Sequence, residues 1–183
     1  AVLIGWLPAY LEKRYGVPRE AAGYWTMLPL LMTVVGVLPA GLVVDGLLSW
    51  TGNKFLSRTL TASAGLSLGG LLTLAAVWST SPAQHVVLLS TGGLFAGFAA
   101  APSWAATMDV AGRLSSVAMG VMNTVGAVGA FIGAETFGRV IGYIEKTEGD
   151  WNLFIYIFVG IYVASALSWL AVRPEVTLTK RED

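Results

Sequence analysis

The chain has 183 residues, of which 55% are hydrophobic and 12% charged, with eleven basic residues balanced by eleven acidic ones. That is too little charge to clothe a water-soluble surface, and the balance leaves no basic footprint for nucleic acid. Without a cysteine the chain has no disulfide framework, thiolate metal site or thiol nucleophile.

The chain opens on an uncharged run, Ala1 to Leu11, which is too short for a bilayer span. It reads as the end of a helix whose beginning is missing, since the sequence also starts with Ala rather than Met. The expectation is a fragment with five complete spans and part of a sixth. No basic n-region or cleavage site marks the start as a signal peptide. A polar loop, Glu12 to Glu20, follows, and then a helix over 21–47 with an uncharged run from Ala21 to Val44. Thr51-Gly52-Asn53-Lys54 reads as a loop.

From Thr59 to Met108 there are fifty residues without Asp, Glu, Lys or Arg, broken only at Ser79-Thr80-Ser81-Pro82 and His85. A helix needs about 20 apolar residues to cross the hydrocarbon layer, so this stretch holds two spans, 56–79 and 83–108. Two more follow at 114–144 and 151–172, the last stopped by Arg173-Pro174. Residues 174–183 read as a polar, mobile tail. The runs do not alternate apolar and polar as barrel strands do. The fold class is therefore all-α, a polytopic transmembrane helix bundle, multi-pass in an inner or plasma membrane.

Gly65/Gly69, Gly93/Gly97, Gly129/Gly133 and Gly138/Gly142 have the small-xxx-small spacing that lets helices approach closely in lipid. Pro29, Pro39 and Pro102 fall inside spans, where each removes a backbone bond and can kink the helix.

Four constellations carry possible chemistry. Gly41-Leu-Val-Val-Asp45, followed by Gly52, Lys54 and Arg58, has an acid at one span's end and bases before the next. It is either an electrostatic latch or a solvated loop with ordinary end charges. Ala101-Pro-Ser-Trp104, Asp109-Val-Ala-Gly-Arg113 and Gly120-Val-Met-Asn123 form the second. Asn123 lies ten residues past Arg113, about 15 Å along a helix and near the bilayer midplane. A carboxamide there either faces a wet cavity and contacts substrate or bonds a neighbouring helix. Glu135 and Arg139 are spaced for an i,i+4 ion pair near the far interface. Finally, Gly65-Leu-Ser67-Leu-Gly69 matches a nucleophile-elbow pattern, and an intramembrane hydrolase pairing Ser67 with His85 is conceivable. That motif works on a strand–turn–helix, whereas here it sits inside a span, where Ser67 reads as a packing residue.

Taken together, these segments resemble the C-terminal half of the major facilitator superfamily, and within it the anion:cation symporter family. The residues that carry the resemblance are Trp6-Leu-Pro-Ala-Tyr10-Leu, Gly23…Leu28-Pro29-Leu, Gly41-Leu-Val-Val-Asp45-Gly…Thr51-Gly-Asn…Ser57-Arg58, Ala101-Pro-Ser-Trp104, Asp109-Val-Ala-Gly-Arg113 and Gly120-Val-Met-Asn123-Thr-Val-Gly126. The resemblance implies a C-terminal transmembrane half-domain over 1–173, helices 7 to 12 with the first truncated, and a cytoplasmic tail. The inner segments then carry six basic residues and the outer five, a slight positive-inside bias. It further implies secondary active transport of a small organic anion, a sugar acid or other carboxylate, coupled to H⁺ or Na⁺ and shared with a missing N-terminal half. No enzyme activity, cofactor or metal is implied. Asn123 matches the substrate-contacting asparagine of helix 11, with Trp104 and Tyr10 as wall residues. Gly41, Asp45, Arg58, Asp109 and Arg113 would form the conformational latch. Gly46 stands where the strongest form of the loop motif is basic, so Arg58 or Lys54 must supply the charge. Ala134-Glu135 stands where many members carry a proline. The alternatives are another branch of the superfamily, a drug or sugar exporter, or a non-transporting membrane scaffold.

Overall fold

A computed structural model describes residues 2–147 and 149–177, with side chains from Gly5 onward. Seven α-helices run up and down: α1 Val2–Tyr15, α2 Arg19–Thr51, α3 Thr61–Ala75, α4 Pro82–Gly97, α5 Ala100–Ala111, α6 Ser115–Thr147 and α7 Asn152–Trp169. A π-helical turn, Phe55–Leu60, leads into α3 and a 3-10 turn, Ala76–Trp78, ends it. Among the described residues four helical stretches are long and apolar enough to cross a membrane, namely Arg19–Thr51, Phe55–Trp78, Pro82–Thr147 and Asn152–Trp169. The third has 66 residues and makes two passes. It turns at Gly112, whose φ of 53° is a left-handed value that suits glycine, and the Thr107 hydroxyl on α5 then meets the Met122 sulfur on α6 at 3.6 Å.

Two expected boundaries move. The Glu12–Glu20 loop shrinks to 16–18, because α1 continues through Lys13 and Arg14, basic side chains that suit the negative end of the helix dipole. The 83–108 helix is two helices. Pro102 has no N–H to bond the Phe98 carbonyl, and the chain tightens there into Phe98 N–H to Phe95 and Ala99 N–H to Ala96 contacts. By contrast α2 stays continuous through Pro29 and Pro39.

The bundle centres on α4. It packs most extensively on α2, and α3 in turn packs on α4 and α7. Glycine makes this possible. A Cβ added at Gly36 would overlap the Leu94 carbonyl, one at Gly97 that of Thr33, and one at Gly65 would stand 2.7 Å from the Phe95 oxygen. The paired glycines at 65/69 and 93/97 are thus contact surfaces. Gly129 and Gly142 face open space.

Hydrophobic packing is concentrated at one end. Leu7, Leu11, Val86, Leu89, Phe137 and Phe154 meet there, and Phe137 lies flat on Phe158 with ring centres 4.4 Å apart. Helix α6 takes part only through its second half. Its buried residues are Phe137, Ile141 and Ile144, whereas 120–132 are exposed apart from half-buried Met122.

The segment after α7, expected to be mobile, begins packed. Pro174 is fully buried, and the Thr177 hydroxyl donates to the Asp109 carbonyl at 3.1 Å. The remainder of the expected tail, 178–183, lies outside the described residues.

Candidate functional site: a charged latch and an open helix face

The end opposite the apolar core holds the charged cluster expected to form a latch. The end of α2 is capped by Gly52, whose N–H bonds the Leu48 carbonyl, and the chain re-enters the bundle through the π-helical turn. A π turn bonds i→i+5 and so breaks the side-chain register of the α-helix that follows it. Here Ser57, Arg58 and Thr59 are all buried, and each reaches a different neighbour. Ser57 Oγ donates to the Val44 carbonyl of α2 at 2.5 Å. Arg58 Nε donates to Asp109 Oδ2 of α5 at 3.2 Å, and its Nη1 to Ser57 Oγ at 3.0 Å. Thr59 Oγ1 donates to the Val172 carbonyl beyond α7 at 3.1 Å. Lys54 Nζ meets the other Asp109 oxygen at 2.8 Å.

Asp109 is therefore the acidic centre, held between two cations, with Arg58 only 9% and Asp109 19% exposed at the side chain. The latch expected around Asp45 needs correcting in emphasis. Asp45 stands 3.9 Å from Arg58 Nη1 and is 82% exposed, so water screens it and it adds little. Gly41 does not serve close packing, since a Cβ there would meet nothing within 4 Å. Arg113 is exposed on the turn Gly112–Leu114. Both Arg58 and Lys54 supply the charge that Gly46 lacks, but they direct it to Asp109.

The three expected substrate-wall residues lie on three helices, and among the described residues no hydrogen bond joins them. Asn123 is exposed on the first half of α6. Its neighbour Met122 lines an apolar groove of about 560 Å³ together with Thr107, Val110, Trp169 and Val172. One residue is about 100° around a helix, so Asn123 is turned from that groove toward the open side. Trp104 on α5 is 41% exposed. Tyr10 departs from the expected wall position. It is 1% exposed, its hydroxyl donates to Asn152 Oδ1 at 3.0 Å, and its ring stacks on His85 with centres 4.8 Å apart. It joins α1, α4 and the start of α7 inside the packed end.

His85 is fully buried, with Nδ1 at 2.9 Å from both Ser79 Oγ and the Ala76 carbonyl and 3.4 Å from the Tyr15 hydroxyl. These contacts tie α1 to the turn between α3 and α4. Ser67 is exposed on α3 beside Gly70 and Val163, and makes no contact with His85, so the hydrolase pairing has no geometry. Glu135 and Arg139 form the expected i,i+4 pair at 3.0 Å, both largely exposed. Sequence reasoning passed over Ser57 and Thr59 as latch members. The available signal was three consecutive polar residues, Ser57-Arg58-Thr59, at the start of an otherwise apolar span.

Among the described residues no group of three or more His, Cys, Asp or Glu is placed to hold a metal ion. No family model matches the chain. Among curated proteins, the chain is 30% identical over 183 residues to a probable sulfoacetate transporter of Cupriavidus necator, aligning over 100% of this chain and 41% of that protein. It is 27% identical over 172 residues to the D-galactonate transporter of Escherichia coli, covering 93% of this chain and 38% of the relative. It is 25% identical over 170 residues to probable anion transporter 3, chloroplastic, of Arabidopsis thaliana, covering 92% of this chain and 32% of the relative. The chain thus spans between about a third and two fifths of these relatives' length. All three are named as anion transporters rather than enzymes, in keeping with the anion:cation symporter resemblance and with a multi-pass integral membrane protein.

Proposed function

We propose, from the similarity of this chain to relatives named as transporters of organic anions and from its resemblance to the major facilitator superfamily, that the whole protein is a secondary active transporter of a small organic anion. The substrate is a sugar acid, another carboxylate or a small sulfonate, moved by alternating access and coupled to H⁺ or Na⁺. The chain supplies the C-terminal half-domain, helices 7 to 12, and an N-terminal half supplies the rest. The observation that carries the reading is the alignment of all of the chain with one relative and 93% of it with another, whose names specify organic anions, a sulfonate and a sugar acid.

The geometry supports roles for particular residues. The exposed first half of α6, small at Gly126, Gly129 and Ala130 and uncharged from Leu114 to Ala134, suits one wall of a cavity at the bilayer midplane. Asn123 donates its amide to the substrate's oxygen atoms, and Trp104 shapes the wall. The Lys54–Arg58–Asp109 cluster is the inner latch. It holds α3 against α5 in the outward-facing state and parts when the site opens inward.

The test is counterflow into vesicles reconstituted with the full-length protein, using radiolabelled sulfoacetate and D-galactonate as probes. Accumulation of either anion, with Asn123→Ala reducing it at least about tenfold as expected for a lost contact to a charged group while membrane insertion stays normal, supports the reading. Extrusion of neutral or cationic compounds without anion flux would move the protein to an exporter branch. Unchanged kinetics in Asn123→Ala would remove that residue from the site.

A further inference from the structure

The inner latch has a component outside its three charged residues, Lys54, Arg58 and Asp109. Carbonyls at and beyond the end of α7 lack a full set of helical partners, and two of them serve as handles for α3 and the turn before it. Thr59, on the π turn next to Arg58, donates to the Val172 carbonyl at 3.1 Å, and Ser63, one turn further, donates to the Ala166 carbonyl of α7 at 2.9 Å. The backbone then turns, with the Val176 N–H bonded to the Arg173 carbonyl at 3.2 Å. Pro174 is sealed from solvent. Thr177 reaches the backbone carbonyl of Asp109, the residue whose carboxylate Lys54 and Arg58 hold. The same acid is thus gripped at its side chain by the π turn and the lysine before it, and at its backbone by the segment after α7.

We propose that Thr59 and Thr177 are positioning residues that make the segment Arg173–Thr177 a strap across the inner latch, fixing α7 to α5 through the π turn and holding the latch shut. The inference rests on the transport reading for its consequence, because it concerns how readily the proposed inner gate opens. Its physical content does not depend on any substrate. Three observations carry it: the consecutive side chains of the π turn reach α2, α5 and the segment past α7, the strap is anchored at Thr177 and, just before its start, at Val172, and its proline is buried between the anchors. Each threonine contributes only a hydroxyl, so valine removes the tie and keeps the shape.

The experiment is a distance measurement by double electron–electron resonance on the full-length protein, freed of other cysteines, in lipid nanodiscs without substrate. Nitroxides are attached at Gly46→Cys and Val176→Cys, two exposed positions on α2 and on the strap. Thr59→Val and Thr177→Val are each expected to raise the population at longer distance about fivefold, the order of effect carried by one lost hydrogen bond. Thr91→Val, whose hydroxyl bonds only one turn back on its own helix at the Val87 carbonyl, is expected to leave the distribution unchanged. In vesicles the two latch variants are expected to alter the maximal rate of anion exchange with KM unchanged, because the strap touches no substrate. Distance distributions identical to the parent in both variants would overturn the proposal. Should Thr59→Val not fold, Thr177→Val decides alone, since that residue is exposed. A lengthened distance in a protein that carries no organic anion would sink the transport reading and leave the strap standing. Unaltered distances beside normal flux would do the reverse.

Discussion

At the scale of single residues, the two carboxylates of the latch are not equivalent. Asp109 satisfies a nearly buried guanidinium, and neutralising it leaves that charge with only the solvent-screened Asp45, at 3.9 Å, as counter-ion. Removing one partner of such a pair costs far more than the pair contributes. Asp109→Asn is expected to destabilise the folded full-length protein by about 3 kcal/mol, and Asp45→Asn by less than about 1 kcal/mol. Heating both variants in detergent and following the folded fraction checks this, and equal losses would return Asp45 to the centre of the latch. Sequence reasoning identified all the charged members of this cluster because charges are rare in such a chain and each one stands out. It could not rank the two acids, because Arg58 stands within reach of both and only the folded packing decides which of them is shielded from water beside it. Tyr10 was illegible for a related reason. A tyrosine near a helix end suits a cavity wall and a buried network equally, and Asn152, its partner, is 142 residues away.

At the scale of elements, helix existence was legible and helix texture was not. Long uncharged runs mark spans directly, since the bilayer fixes their length. Breaks are subtler. Pro102 interrupts its helix, but Pro29 and Pro39 leave α2 intact, because the consequence depends on whether neighbours accommodate the freed carbonyl. Glycine spacing likewise shows where close approach is possible and not where it is used. The two cases separate by substitution. Gly36→Ala drives a methyl into the Leu94 carbonyl, where the backbone must move, and is expected to lower the melting temperature of the full-length protein by several degrees, as does a loss of about 1–3 kcal/mol from overpacking. Gly129→Ala meets nothing, and is expected to match or slightly exceed the parent, since alanine favours a helix by about 1 kcal/mol over glycine. A matching loss in both would mean that α6 is packed by another part of the protein at Gly129.

At the scale of the whole molecule, the bundle is unevenly built. One end is sealed by interlocking aromatics and a buried histidine network, the other is closed by charge, and the first half of α6 stands apart from both. In the full-length protein, cysteines at Asn123, Gly126 and Ala130 are expected to react with a water-soluble thiol reagent and to be protected by anion. Those at Val163 and Leu167 on α7, exposed but placed toward lipid in this reading, are expected to stay unreactive. Equal reactivity along both helices would rule out a one-sided aqueous cavity. This unevenness left almost no trace in the sequence, because residues facing lipid, a partner domain or a wet cavity are all exposed in this chain and largely apolar.

The attachments of α6 also set a span. Its nearest buried side chain, Phe137, is fourteen residues from Asn123, or about 21 Å along the axis. The other support is the Met122 contact with α5, so α6 is a beam held near both ends and bare between them. In the transport reading, an anion drawn to Asn123 would load that beam beside its α5 support, where the bare stretch begins.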